Sequence, residues 1–314
     1  MITLEELRKA VRGKIMLNEN LAKYSSFKIG GNADFFIEPC DKDDVLCAVQ
    51  FFHERNLPWR VLGRGSNVLI SDEGVRGAVI SLRENLEKVC IEGECVYAEA
   101  GADLPALAVQ TLRQGLGGLE NLSGIPGSLG GAILMNAGAY GKEIFELIEW
   151  VEVVRGGKIM RLKKSEIRYE YRNTDLHDDV ILATEMRLKK LSPSELEIAM
   201  QRRKEWMEKR RATQPLNLPN AGSIFKNPPP DEHGKPRYAG ALIEACGLKG
   251  VRHGNAQISE KHANFIINLG NAKATDVLAL IELARQEVKK RFDIMLELEI
   301  KLIGFENVAK CVAP

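Results

Sequence analysis

Gly124-Ile125-Pro126-Gly127-Ser128-Leu129-Gly130-Gly131-Ala132, followed by Met135-Asn136-Ala137-Gly138, is a glycine loop with a proline fixing its path. Gly130 and Gly131 leave no side chain between the backbone and a ligand, and Ser128 is placed to open a short helix whose N-terminus favours an anion. Upstream stands a counterpart, Leu62-Gly63-Arg64-Gly65-Ser66-Asn67-Val68-Leu69. Two such loops facing each other can hold a long, doubly charged ligand such as a dinucleotide. A Rossmann fingerprint needs G-x-G-x-x-G turning from a strand into a helix. Here Gly63-x-Gly65 lacks the third glycine and leads into Val68-Leu69-Ile70-Ser71, which reads as a strand. That disfavours a nicotinamide-type Rossmann domain. The competing readings are a glycine-rich turn between strands for the first loop, and close packing of a glycine-rich helix on a sheet for the second. Two such loops in one chain, each following a strand, weigh against both.

The 314 residues have room for two or three domains, and 45% hydrophobic with 28% charged residues suits a globular chain. A formal net charge of +1 gives no general affinity for nucleic acid or an anionic membrane. The six cysteines, Cys40, Cys47, Cys90, Cys95, Cys246 and Cys311, form no C-x-x-C pair, and the five histidines lie far apart. Neither a disulfide scaffold nor a metal site is expected, and reduced thiols point to the cytoplasm. The N-terminus lacks a signal-peptide apolar core, and no apolar run approaches the length of a membrane span.

Elements follow from period and caps. Thr3 and Glu6 read as a capping box opening a helix that stops near Gly13. Residues 33–37 read as a strand, and Asp41 caps a helix carrying Val45, Ala48, Val49 and Phe52. Residues 59–62 and 77–82 are strands, 86–90 and 95–100 form a hairpin, and 104–114 are helical. A second hairpin turns at Gly156-Gly157, joining 151–154 to 159–162, and 180–184 form a buried strand. Ser192-Pro193-Ser194-Glu195 opens a helix with Leu196, Met200, Arg203, Trp206 and Met207 near one face. Pro215 and Pro219 mark 216–220 as an interdomain linker. Beyond it come a short helix at 242–246, a strand at 265–269, and an amphipathic helix at 275–292 with Val277, Leu280, Ile281, Ala284 and Val288 inward. The run 296–302 alternates throughout, so Glu297, Glu299 and Lys301 share the face opposite the leucines and isoleucine.

The loops resemble those of the flavin-binding fold of vanillyl-alcohol oxidase-type enzymes, and one branch matches closely. Ser26-Phe27-Lys28-Ile29-Gly30-Gly31, the two loops, Tyr171-Arg172-Asn173-Thr174, Ala221-Gly222-Ser223-Ile224-Phe225-Lys226-Asn227-Pro228, Lys261-His262-Ala263-Asn264-Phe265-Ile266-Ile267-Asn268 and Leu298-Glu299-Ile300-Lys301-Leu302-Ile303-Gly304 occur in order. Almost end to end, the chain is similar to the UDP-N-acetylenolpyruvoylglucosamine reductase family. The resemblance implies an α+β chain: a two-subdomain FAD-binding fold of the vanillyl-alcohol oxidase/PCMH type plus a C-terminal α+β substrate-binding domain. The expected boundaries are 1–82 and 83–212 for the FAD subdomains, 213–304 for the substrate domain, and 305–314 for a tail. No histidine stands in Arg64-Gly65-Ser66-Asn67, which agrees with non-covalent FAD. Arg172 and Ser223 are 51 positions apart, which suggests the shorter, type II form without a substrate-covering tyrosine loop.

The implied reaction is NADPH-dependent reduction of UDP-N-acetylglucosamine enolpyruvate to UDP-N-acetylmuramate through FAD, in peptidoglycan precursor synthesis. Hydride addition to the enolpyruvyl methylene puts charge on the neighbouring carbon and its carboxylate, so the site needs donors aimed at the carboxylate and one acid for the carbon. By resemblance Arg172 and Glu299 flank the carboxylate, and Ser223 is the proton donor. Lys226, Asn227 and His262 contact substrate, although a satisfied histidine beside a strand competes for His262. The resemblance gives cofactor contacts to Gly63, Arg64, Gly65, Ser66 and Asn67, to Gly124, Ile125, Pro126, Gly127, Ser128, Gly130, Gly131 and Ala132, and to Asn136, Gly138 and Ile181. The amide of Asn136 suits a flavin ring edge; Tyr171 is a stacking or core residue. A monomer with a small-molecule substrate is expected. The alternatives are an FAD oxidase or dehydrogenase of a hydroxy acid or sugar, and a non-catalytic flavin or nucleotide-sugar binding module.

Overall fold

The computed structural model describes residues 3–305. Of the expected tail only Phe305 falls among them; Cys311 lies outside. The chain groups into two compact units. The first takes Asp34–Arg64, Gly77–Lys209 and the N-terminal residues up to Asn18; the second takes Glu19–Ala33, Gly65–Arg76 and the residues from Arg210 onward.

In the first unit, Thr3 and Glu6 exchange capping hydrogen bonds at the start of helix α1 (Leu4–Ala10). Asp41 caps α2 (Lys42–Glu54), which buries Val45, Ala48, Val49 and Phe52. The strands Lys14–Asn20, Asn32–Glu38, Val75–Ser81 and Trp59–Leu62 lie in that spatial order, the last two parallel. An antiparallel sheet runs Lys158–Lys163, Ile148–Arg155, Val180–Arg187, Cys95–Glu99, Val89–Glu92. Asp103 caps α3 (Leu104–Arg113) and Ser128 caps α4 (Leu129–Leu134). One apolar core joins α2, α3, α4 and this sheet.

Ser192 and Glu195 cap α5 (Pro193–Thr213) reciprocally. Its inner stripe differs from the expected one. Ala199 is its buried residue, and Met200 is 55% exposed. The stripe steps by three from Leu196 to Ala199, then by four to Arg203, which leaves Met200 at its edge.

In the second unit, α6 (Ala239–Ala245) and α7 (Ala274–Phe292) share a core with the strands Ala256–Ile258 and Ile266–Asn268. α7 buries all five expected residues, and its first amides bind the Asp72 carboxylate, Ala274 at 2.7 Å and Thr275 at 3.1 Å. Val68–Ile70 pairs in parallel with Lys301–Ile303. Two expectations change here. The segment 216–220 is not a free linker: the Pro219 carbonyl accepts from Asn268 N–H, and Asn220 bridges Ile267. The run 296–302 keeps its alternation, with Leu296 and Ile300 buried, but joins a regular ladder only from Lys301. Before that it meets residues 224–226 through a single bridge, Phe225 to Leu298. That partner segment runs into Pro228-Pro229-Pro230, which has no N–H groups to extend a ladder.

No described helix is long and apolar enough to cross a membrane, and the described residues contain no group of three metal-ligating side chains.

Candidate active site

The glycine loops divide their work. A Cβ on Gly63 would lie 2.3 Å from Ser128 Oγ, so within the first unit the two loops touch through the missing side chain. A Cβ on Gly130 would sit 2.8 Å from that of Ala100, which is helix-to-sheet packing. Gly131 is different: it is exposed, and a Cβ there would meet only Ser128 Oγ, at 3.4 Å. Close packing therefore accounts for two glycines and leaves Gly131 as an open face for a ligand. The stretch 124–127 is likewise accessible at the surface, whereas Ala132 and Ile181 are more than nine-tenths buried.

The first amides of α4 are engaged within the protein. The amides of Leu129 and Gly130 donate to the carbonyls of Ala102 and Ala100, and that of Gly131 to Ser128 Oγ. Arg64 is paired with Glu87, and its Nε lies 3.4 Å from Asp103 Oδ2, so its charge is already met.

Arg172 sits at φ 58° in the two-residue turn joining Tyr169–Glu170 to Asn173–Thr174. Its Nη2 donates to the Gly138 carbonyl at 2.7 Å, and its guanidinium lies 4.8 Å from the Tyr171 ring centre. Tyr171 is exposed rather than part of the core. Asn136 is fully buried. Its Nδ2 donates to Glu143 Oε2 (2.7 Å) and the Glu170 carbonyl (3.0 Å), and its Oδ1 accepts from Phe145 N–H. The amide expected at a flavin edge thus belongs to the protein, where it ties the Glu143 and Glu170 strands together.

The second unit gathers Ser223, Lys226, Asn227, His262 and Glu299. Asn220 Oδ1 accepts the Gly222 amide, turning the chain just before Ser223. Ile224 O accepts from Glu299 N–H, and Lys226 N–H donates to Glu297 O, which aligns the serine segment with the glutamate segment. Buried Asn264 acts as a missing strand: Oδ1 accepts from Phe225 N–H (3.0 Å) and Nδ2 donates to Phe225 O (2.8 Å). Asn67 brackets Glu299. Its Nδ2 donates to the Glu299 carbonyl at 3.1 Å, and its own carbonyl accepts from Lys301 N–H. Lys226 pairs with Glu297 at 3.7 Å. Desolvation, then the nearby Lys226 charge, hold Lys301 below its ordinary pKa. Asn227 Oδ1 accepts from Ala239 N–H. Burial, then Lys249, lower the pKa of His262. Its Nδ1 accepts from Asn264 N–H at 3.2 Å, which places the neutral ring's proton on Nε2.

Arg172 belongs to the first unit, and the other five to the second. Sequence reasoning missed the anchoring roles of Asn67 and Asn264. The signal for Asn264 was available: a carboxamide inside the apolar run Ala263 to Ile267 must find partners when buried.

Comparisons with known proteins give the family. An FAD binding domain model matches residues 33–163, and the model of the UDP-N-acetylenolpyruvoylglucosamine reductase C-terminal domain matches 214–303. These two domains define an FAD-dependent oxidoreductase. The UDP-N-acetylenolpyruvoylglucosamine reductase of Chloroherpeton thalassium is 61% identical over 99% of this chain and 100% of its own length. That of Desulforamulus reducens is 43% identical over 95% and 97%. The crystal structure of UDP-N-acetylenolpyruvylglucosamine reductase (MurB) from Thermus caldophilus superposes with a TM-score of 0.75 at 34% identity, covering 93% of this chain and 99% of that one. The chain belongs to the UDP-N-acetylenolpyruvoylglucosamine reductase family.

Proposed function

We propose that the protein reduces UDP-N-acetylglucosamine enolpyruvate to UDP-N-acetylmuramate with NADPH, as a cytoplasmic monomer serving peptidoglycan precursor synthesis. The observation that carries this reading is the second unit's pairing of the Ser223 segment with the Glu299 segment, inside a chain whose first unit opens the Gly131 backbone. The proposed division is 1–82 and 83–212 for the cofactor and 213–304 for the substrate, with 305–314 as a tail.

FAD, when bound, supplies the two-electron chemistry that links NADPH to the enolpyruvyl group. Residues 63–67, 124–128 and 130–132, with Gly138 and Ile181, would hold it; Gly131 and the surface stretch 124–127 offer backbone a ligand can approach. The chain's own task is to manage charge and protons. Arg172 presents a permanent, bidentate cation to the substrate carboxylate as negative charge develops there. Glu299 supports the same carboxylate, and the Asn67 and Ile224 bonds fix its main chain. Ser223 Oγ gives its proton to the carbon beside the carboxylate. Lys226 and Asn227 hold the charged and polar parts of the nucleotide sugar, and neutral His262 offers an Nε2–H donor.

The test is NADPH oxidation by the FAD-loaded protein with and without the enolpyruvyl sugar. Stoichiometric turnover that requires the sugar is expected. Turnover independent of it, or flavin bleaching by a hydroxy acid, would transfer the reading to an oxidase or dehydrogenase. A yellow protein with no turnover would leave only a binding module. Light scattering during gel filtration checks the monomer.

A further inference from the structure

The turn that follows the second glycine loop is built from an unsuitable residue. Gly138–Ala139 and Lys142–Glu143 form a hairpin with Ala139 opposite Lys142, so Tyr140 and Gly141 are its two-residue loop. Both have positive φ, 53° and 77°. Such a turn calls for Asn, Asp or Gly at its first position, and a bulky side chain there is strained. The tyrosine is held from outside the hairpin. Its ring stacks on Trp206 of α5, with centroids 4.7 Å apart and planes at 11°, and its hydroxyl donates to the Trp206 carbonyl at 3.0 Å. Asn121 Nδ2 donates to the Tyr140 carbonyl at 3.2 Å.

The other end of the same hairpin meets Arg172. The Gly138 carbonyl accepts Arg172 Nη2 at 2.7 Å, and a Cβ on Gly138 would stand 3.3 Å from Nη1. Arg172 is itself in the left-handed region. A strained backbone persists only where its surroundings over-determine it, and such positions concentrate where geometry matters to function. Two strained turns are thus joined by one charge-assisted hydrogen bond, and the Tyr140 turn is clamped to α5.

We propose that Tyr140 and Trp206 are positioning residues: by locking the hairpin to α5 they fix the Gly138 carbonyl, and through it the direction of the Arg172 guanidinium. This rests on the reading of Arg172 as the ligand of the substrate carboxylate. The clamp would therefore matter when charge develops on that carboxylate, and not when NADPH delivers electrons.

The experiment follows the flavin's visible absorbance through each half of the reaction in the FAD-loaded enzyme. Tyr140→Gly removes the ring while relieving the unfavourable φ, so the turn is kept and the clamp lost. Its reoxidation by the enolpyruvyl sugar should slow by about tenfold, since small misplacements of a catalytic group cost this much or more. Its reduction by NADPH should be unchanged. Trp206→Phe, which keeps a stacking face, should be near wild type, and Trp206→Ala should repeat the Tyr140→Gly effect. If one variant fails to fold, the other carries the measurement. In an Arg172→Lys background Tyr140→Gly should add little, because its route runs through the arginine. Equal slowing of both halves, or full additivity with Arg172→Lys, overturns the proposal. Unimpaired reoxidation in Arg172→Lys itself would instead overturn the role of Arg172, and the clamp's with it.

Discussion

Arg172 and Glu299 are proposed to meet the same carboxylate, yet the molecule holds them by opposite means. Arg172 rides on a strained two-residue turn, steered by a side-chain bond to Gly138. Glu299 lies in an extended segment whose main chain is fixed by Ile224 and Asn67. The contrast extends to the surroundings. In the first unit a polar cluster is ionic, with Lys42 and Arg161 on buried Glu152. In the second, the neutral amides of Asn67, Asn220, Asn264 and Asn268 all bind main-chain groups, beside the Asp72 carboxylate at the start of α7. Charged anchors respond to pH and salt, and neutral ones do not.

The largest effect that separates the two regions is chemical. Ser223→Ala should slow flavin reoxidation by the enolpyruvyl sugar by about a hundred- to ten-thousand-fold, the usual worth of a general acid, and leave reduction by NADPH nearly intact. Single-turnover absorbance measures both. A loss shared equally between the halves would mean that the serine supports the fold or the cofactor rather than the proton.

Next is stability. Asn264→Ala strips both partners from the Phe225 main chain, which is itself buried. Leaving a donor and an acceptor unsatisfied should cost about 2–4 kcal/mol. Denaturant unfolding would show it, and a loss below about 1 kcal/mol would mean the amide clamp is not what holds the serine segment. Asn67→Ala should do less, about 1 kcal/mol, because it removes one side-chain bond and leaves the Lys301 amide bond to the main chain in place. Its interest is kinetic: reoxidation should fall a few-fold through looser placement of Glu299, again with reduction by NADPH unaffected.

What the sequence makes legible follows the same division. Thr3, Asp41 and Ser192 cap as their spacing says, and the α7 stripe buries every expected residue, because both signals are local and periodic. Arg172, Ser223 and Glu299 are readable only as members of ordered motifs, since a lone charge or hydroxyl carries no signature of its surroundings. Long-range pairings escaped. That Gly63 makes room for Ser128, that Asn136 ties two hairpins, and that 216–220 is packed all depend on contacts between distant residues. The partners of the first α4 amides, the carbonyls of Ala102 and Ala100, are likewise placed by no local rule.

The smallest effect is a pair of acid steps, one per unit. His262 is pushed below its ordinary 6.5, chiefly by burial. Between its folded value and 6.5 the unfolded chain binds more protons than the folded one, so stability rises with pH there. That contribution is fully present above 6.5, is lost as the pH falls below it, and levels off once the folded histidine also protonates. At Glu152 burial opposes the charged form, but the hydrogen bonds from Lys42 and Arg161 outweigh it and hold the carboxyl below 4.5. The sign is the same and the window lower: this stability is present above 4.5 and lost as the pH drops through the folded value. Melting temperature against pH should therefore show a first decline below about 6.5 and a second below about 4.5. His262→Asn should flatten the first alone, and Glu152→Gln the second alone. An unchanged first decline in His262→Asn would mean that the second unit is acid-sensitive through some group other than the histidine beside Asn264.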